Sequence, residues 1–224
     1  MKILKSPEIL YEDEFLLAVD KPSGMLSVPG RGPEKADCAV SRMSGTRGLV
    51  KEVHRLDQAT SGILLLAKTP EAHRALSISF SDRVIEKTYI AVTVSIPSDP
   101  RREGVVFEPG NPGRIILYQR LDPENRPYQI IDPEKGRKSV TQWRVITADE
   151  QSGKYRLELG PLTGRTHQLR LALSTCGAAI PGDSLYASEE LRDLSPRLLL
   201  HAAVLRFPHP ETGRWVKIVS PVPF

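Results

Sequence analysis

Hydrophobic positions along the chain fall in short runs, mostly of strand length, punctuated by glycine, proline and acidic turns. Residues 15–19 (FLLAV) are apolar and stop at D-K-P-S-G, which predicts a strand entering a turn. Residues 62–67 (GILLLA) lack polar alternation and predict a fully buried strand. Thr69, Pro70 and Glu71 then supply an N-cap, a first-turn proline and an acid, predicting a helix to about Ser81. Residues 88–95 are β-branched and aromatic and predict a strand. Residues 139–147 and 155–159 alternate as a hairpin pair. Residues 166–175 carry Leu169, Leu171 and Leu173 ahead of Gly177, a helix with a glycine stop. Residues 198–207 and 215–219 close the chain as strands. Strands in runs with few helices between them favour an α+β fold with a mixed sheet over regular β–α alternation. Residues 97–133 are rich in proline and glycine and predict hairpins and loops. They are the candidate connection between two lobes, or a variable insertion.

Composition narrows the class. With 224 residues the chain is one large domain or two fused lobes, and about 70% of its surface can be buried. Hydrophobic residues make up 40% and charged residues 26%, which disfavours disorder and coiled coil. No apolar run is long enough to span a bilayer. The first ten residues lack the apolar stretch of a secretory signal, so a cytoplasmic location is expected. Net charge is +4, unevenly spread. Residues 135–175 hold eight Lys and Arg against three acids, a surface suited to phosphates or simply a solvated face. Cys38 and Cys176 are isolated, which suits a reducing compartment. No metal-ligand spacing, Walker loop, dinucleotide fingerprint or nucleophile elbow is present, so metal hydrolase, P-loop NTPase, Rossmann dehydrogenase and α/β-hydrolase lose their usual sequence support.

Three segments carry candidate chemistry. Residues 53–62 (VHRLDQATSG) place His54, Arg55, Asp57, Thr60 and Ser61 at the entrance to the most apolar strand. A short carboxylate there is either held rigidly for reaction or merely caps a turn. Residues 162–170 (LTGRTHQLR) put Arg165 at a loop–helix junction, a rigid cationic fork or an ordinary surface arginine. His167 reads as structural. Tyr89 begins a strand, as a stacking ring with a hydroxyl or as a core tyrosine. Residues 182–186 (GDSLY) read as a structural turn.

Taken together, these residues resemble the RluA family of pseudouridine synthases. The resemblance is carried by K-P-S-G (21–24), H-R-L-D-Q-A-T-S-G (54–62), K-T-Y (87–89), G-R-T-H-Q-L-R (164–170), G-D (182–183) and L-L-L-H-A (198–202). They occur in the family's order and cover almost the whole chain. Departures are Leu171 and Ala172 after Arg170, where a histidine often follows, and Ala187 where the family often has glycine. These bear on substrate choice rather than on reaction class.

The resemblance implies a pseudouridine synthase catalytic fold: a bent, mixed, largely antiparallel sheet flanked by helices and loops. It implies one catalytic domain over residues 1–224 in two lobes, without the N-terminal S4 domain of many relatives. The activity implied is isomerisation of uridine to pseudouridine in RNA, with no cofactor or metal. Asp57 matches the essential aspartate, Arg165 the arginine that pairs with it, and Tyr89 the tyrosine that stacks on the target base. Arg55 matches the residue that fills the space vacated by the flipped base, and His54 supports the loop. Thr60 belongs to the same string, and Leu199 or Leu200 supplies packing beneath the base. Arg137, Lys138 and Arg170, with Arg144 and Arg156, are expected on the RNA side. The implied substrate is a uridine in a hairpin loop of large-subunit rRNA, the tRNA anticodon arm, or both. A monomer is expected, with no membrane partner. The rivals are an inactive RNA-binding homologue, a hydrolase built on Ser61 and His54, and a synthase with another RNA target.

Overall fold

The computed structural model describes residues 5–149 and 151–224, so the first four residues of the stretch read for targeting lie outside it. In chain order the elements are β1 (Glu8–Glu12), β2 (Leu16–Lys21), α1 (Ala39–Arg47), β3 (Lys51–Glu52), β4 (Ser61–Ala67), α2 (Pro70–Ser81), β5 (Glu86–Thr93) and β6 (Val105–Glu108). There follow β7 (Gly113–Leu121), β8 (Gln129–Ile131), β9 (Arg137–Asp149), β10 (Lys154–Pro161), α3 (Gln168–Thr175), α4 (Glu189–Asp193), β11 (Leu200–Pro208) and β12 (Trp215–Val219). Two compact units result. The first comprises the described residues up to Lys87 with His201–Phe224, the second Thr88–Leu200.

In the first unit the strand order is β1-β2-β4-β11, with β3 on β4 and β12 on β11. β4 and β11 run parallel and the other pairs antiparallel, which makes the sheet mixed. The apolar run of β4 is explained by two covered faces. Ile63 and Leu65 pack with Ala72 and Leu76 of α2 and with Phe207 of β11. Leu64 and Leu66 point the other way, into a cluster with Ala39 and Met43 of α1. The spacing of Ala72 and Leu76 puts both on one face of α2. Its start is the predicted one, because the Thr69 hydroxyl accepts from Ala72 N at 3.1 Å. Helix α1 is not signalled by hydrophobic periodicity; it starts from Cys38, whose sulfur accepts from Ser41 N.

In the second unit the antiparallel order is β5-β10-β9-β7-β6, with β8 on β7. Helix α3 packs against β7, β9 and β10. It ends as the glycine predicts: Gly177 has φ 74°, Gly177 N donates to Ser174 O, and Ala178 N donates to Leu173 O. Its start is two residues later than the sequence suggests, because His167 takes a left-handed conformation (φ 54°) and breaks the first turn. Residues 97–133 are not the inter-lobe connection that their composition suggests. They form β6, β7 and β8 inside the second unit, and β7 pairs with β9 over seven residues. Their turns are dense in proline, while the strand itself is the ordinary apolar segment Ile115, Ile116 and Leu117.

Candidate active site

The carboxylate of Asp57 sits in the loop between β3 and β4, and that loop is tied to residues 21–27. Lys21 is completely buried; its ammonium donates to Met25 O at 2.7 Å, Pro22 O at 3.1 Å and Gln58 O at 3.2 Å. Gly24 N donates to Gln58 O at 2.8 Å, and Gln58 Nε2 returns a bond to Gly24 O. The Ser23 hydroxyl donates to Ala59 O at 2.7 Å. On the other side of Asp57 the Ser27 hydroxyl donates to Leu56 O at 2.8 Å and accepts from Leu56 N at 3.0 Å. Thr60 N closes the turn on Asp57 O, with Thr60 buried. The main chain on both sides of Asp57 is thus held by groups far away in sequence, which restricts where the carboxylate can point.

The neighbours divide by role. His54 is a support: its Nε2 accepts from Leu65 N of β4 at 3.0 Å, and its ring stacks on Phe80 at 4.7 Å. Desolvation, aided by the Lys87 ammonium, pulls its pKa down to about 3. The ring is therefore neutral, with its proton on Nδ1. Arg55 is exposed at the surface of the loop. Ser61 does not meet His54; its hydroxyl lies 2.7 Å from Nδ1 of buried His201, whose Nε2 is 2.9 Å from the Ser220 hydroxyl. A hydrolytic Ser61–His54 pair is thereby removed. Gly62 has φ 109°, and a Cβ there would lie 2.3 Å from Ala202 O, so close passage of β11 requires glycine.

In the second unit the turn carrying Arg165 is built around one buried amide. Gln168 Oε1 accepts from Arg165 N at 3.0 Å and from the Thr163 hydroxyl at 2.7 Å. Its Nε2 donates to Val140 O and to the Thr141 hydroxyl oxygen. All four of its hydrogen-bonding positions are used. Arg165 Nε donates to Lys138 O at 3.2 Å. Tyr89 lies on β5 opposite Leu159, half-buried. Leu199 is half-buried and Leu200 buried.

The basic residues separate in the same way. Arg137 and Lys138 are exposed at the start of β9. Arg144 is exposed but paired with Glu158 at 2.9 Å. Arg170, expected on the RNA side, is corrected: it is 3% exposed. Its Nε and Nη2 bind the two oxygens of buried Asp183 at 2.9 and 2.5 Å. Asp183 also accepts from Leu185 N and Tyr186 N, so the pair organises the structural turn at residues 182–186. Sequence reasoning passed over Lys21, Ser27, Gln168 and His201 as working residues. Three lie inside the recognised strings, but Ser27 carries no sequence signal for its contact with Leu56.

Comparison with known proteins agrees with this geometry. The family model for RNA pseudouridylate synthase matches residues 15–175. The dual-specificity RNA pseudouridine synthase RluA of Yersinia pestis is 40% identical over 92% of this chain and 94% of that protein. Its counterpart in Escherichia coli K12 is 40% identical over 96% and 93%. The solved structure of human RNA pseudouridylate synthase domain containing 1 superposes with a TM-score of 0.75 at 25% identity, over 100% of this chain and 87% of that one. On this match of sequence and fold, the chain belongs to the RluA family of RNA pseudouridine synthases, isomerases that convert uridine to pseudouridine in RNA.

Proposed function

We propose that this synthase acts on a uridine in a hairpin loop of large-subunit rRNA, of the tRNA anticodon arm, or of both, with Asp57 as the essential group. The observation that carries the role of Asp57 is the six-bond clamp between residues 21–27 and residues 56–59. The dual specificity printed for the relatives supports the two substrate classes. In the reaction the C1′–N1 bond breaks, a C1′–C5 bond forms, N1 gains a proton and the C5 hydrogen leaves to water. Asp57 either attacks the ribose or removes a ribose proton.

The target base leaves its stack at a cost of a few kcal/mol. Arg55, exposed beside Asp57, fills the space it vacates. The family resemblance assigns Tyr89 to stacking on the base, with Leu199 packing beneath it, and Arg165 to offsetting the carboxylate charge. Arg137 and Lys138 meet phosphates. The chain works as one catalytic domain in two lobes, as a cytoplasmic monomer.

The test is tritium release from C5-labelled uridine in bulk tRNA and in unmodified large-subunit rRNA transcript. The native protein is expected to release tritium from at least one, and Asp57→Asn from neither while still binding it. Release by Asp57→Asn at the native rate would overturn the assignment of Asp57. Native protein that binds both RNAs without release would overturn the proposed targets.

A further inference from the structure

A cavity lies wholly within the second unit, and none of the residues assigned above to the reaction lines it. It is a cavity of about 460 Å³ whose lining includes Arg102, Asp122, Asn125, Tyr128, Leu171 and Tyr186. Its volume lies in the range of small-ligand sites. The aliphatic groups and the Tyr186 ring form an apolar surface. Tyr128, 37% exposed, stands edge-on to Tyr186 with 5.9 Å between ring centroids.

The wall at residues 122–129 is already set. Asp122 N donates to Tyr128 O and Tyr128 N to Asn125 O, both at 2.9 Å. Gln129 N donates to the Tyr186 hydroxyl at 2.8 Å. A shape fixed this way costs little further ordering on binding. The two charged residues of the lining differ in kind. Asp122 is an acceptor, and the Asn125 amide, donating to it at 3.0 Å, holds its carboxyl below the ordinary range. Arg102 is exposed and has no acidic partner among the described residues.

We propose that this cavity receives an unpaired nucleotide of the RNA substrate other than the target uridine. Its base stacks on the Tyr128 ring with the edge-on Tyr186 ring beside it, presents an exocyclic amine to Asp122, and leaves its phosphate to Arg102. The chemistry matches such a ligand in three ways. Flat bases stack on aromatic side chains irrespective of sequence. A carboxylate favours bases with an exocyclic amine, namely adenine, cytosine and guanine, over uracil, whose single N3–H lies between two carbonyls. A free guanidinium is the natural partner of a phosphate. The site also touches the reaction machinery indirectly. The Tyr186 hydroxyl lies 2.9 Å from Nδ1 of His167, two residues beyond Arg165. The inference rests on the RNA-loop reading above.

The experiment uses the full chain and a labelled hairpin RNA that supports tritium release. Tyr128→Ala and Arg102→Ala are compared with native protein on that RNA and on a series with one abasic position at each unpaired loop site. For Tyr128→Ala, KM is expected to rise about tenfold, with kcat within about twofold, as loss of one stacked base predicts. At one abasic position the native protein suffers the same loss, and Tyr128→Ala adds nothing to it. Retained kcat shows that the variant is folded. Unchanged KM in both variants, or penalties that add at every position, would overturn the proposal. Tight binding of free AMP or GMP that Tyr128→Ala abolishes, with KM for RNA unchanged, would make this a free-nucleotide site and also overturn it. Absence of release by native protein on every RNA would instead count against the target reading, and the KM comparison would then be replaced by direct RNA binding to the same variants.

Discussion

The buried ammonium of Lys21 donates to the carbonyl of Gln58, the residue that follows Asp57, at 3.2 Å. One cation thus ties the end of β2 to the loop that bears Asp57, the carboxylate proposed above as essential, with Met25 O and Pro22 O as its further acceptors. Lys21→Met keeps much of the apolar stem and leaves these three carbonyls without their charged donor. We expect a stability loss of about 3 kcal/mol by urea denaturation, together with a fall in kcat, because loop and carboxylate shift together. A variant with native stability and native kcat would show that the loop is held without Lys21.

His54 imposes a pH dependence of definite sign. Its pKa, depressed to about 3 in the folded chain, lies below its unfolded value of about 6.5. Between these values the unfolded state binds a proton that the folded state refuses. Stability is therefore greatest above about pH 6.5 and falls as pH drops, by at most about 1.4 kcal/mol per unit from this group. His54→Gln, whose amide oxygen can accept from Leu65 N, should flatten the wild-type difference in urea midpoint between about pH 4.5 and about pH 7. Equal slopes for the two proteins would show that His54 is not the group responsible.

Arg170 and Lys138 should separate stability from RNA affinity. Arg170→Met strands the buried Asp183 carboxylate and is expected to cost on the order of 3–5 kcal/mol, with the salt dependence of RNA binding unchanged. Lys138→Ala should leave unfolding untouched and reduce the slope of log affinity against log salt by about one. Titration of RNA binding across a salt series, beside thermal melts, checks both. A reduced slope for folded Arg170→Met would restore the surface role that its burial argues against.

Gly62→Ala places a methyl group against the backbone of Ala202 at a φ of 109°. The clash is with main chain and cannot be relieved by a rotamer change. The variant is expected to lose on the order of 3 kcal/mol or more, or to fail to fold. Soluble Gly62→Ala with the native melting temperature would mean that β4 and β11 can separate locally at little cost.

Much of the fold is readable in the chain because the signals are local. The Thr69–Pro70 start of α2, the unbroken apolar run of β4 and the Gly177 stop of α3 each depend on residues within a few positions of one another. The strings around Asp57 and Arg165 likewise carry the family resemblance. The working roles inside those strings are not local. Lys21 and Gln58 are 37 residues apart, Gln168 reaches back 28 residues to Val140, and Ser61 finds His201 across 140.

Residue type alone cannot say which of several arginines faces solvent. Arg137 remains exposed, whereas Arg170 is enclosed because Asp183 arrives with matching fork geometry and the backbone donors of the turn share its charge. Periodicity and capping chemistry specify elements through neighbouring side chains. Burial and the pairing of charges follow from long-range packing, where a group's energy depends on which distant partner desolvates and satisfies it.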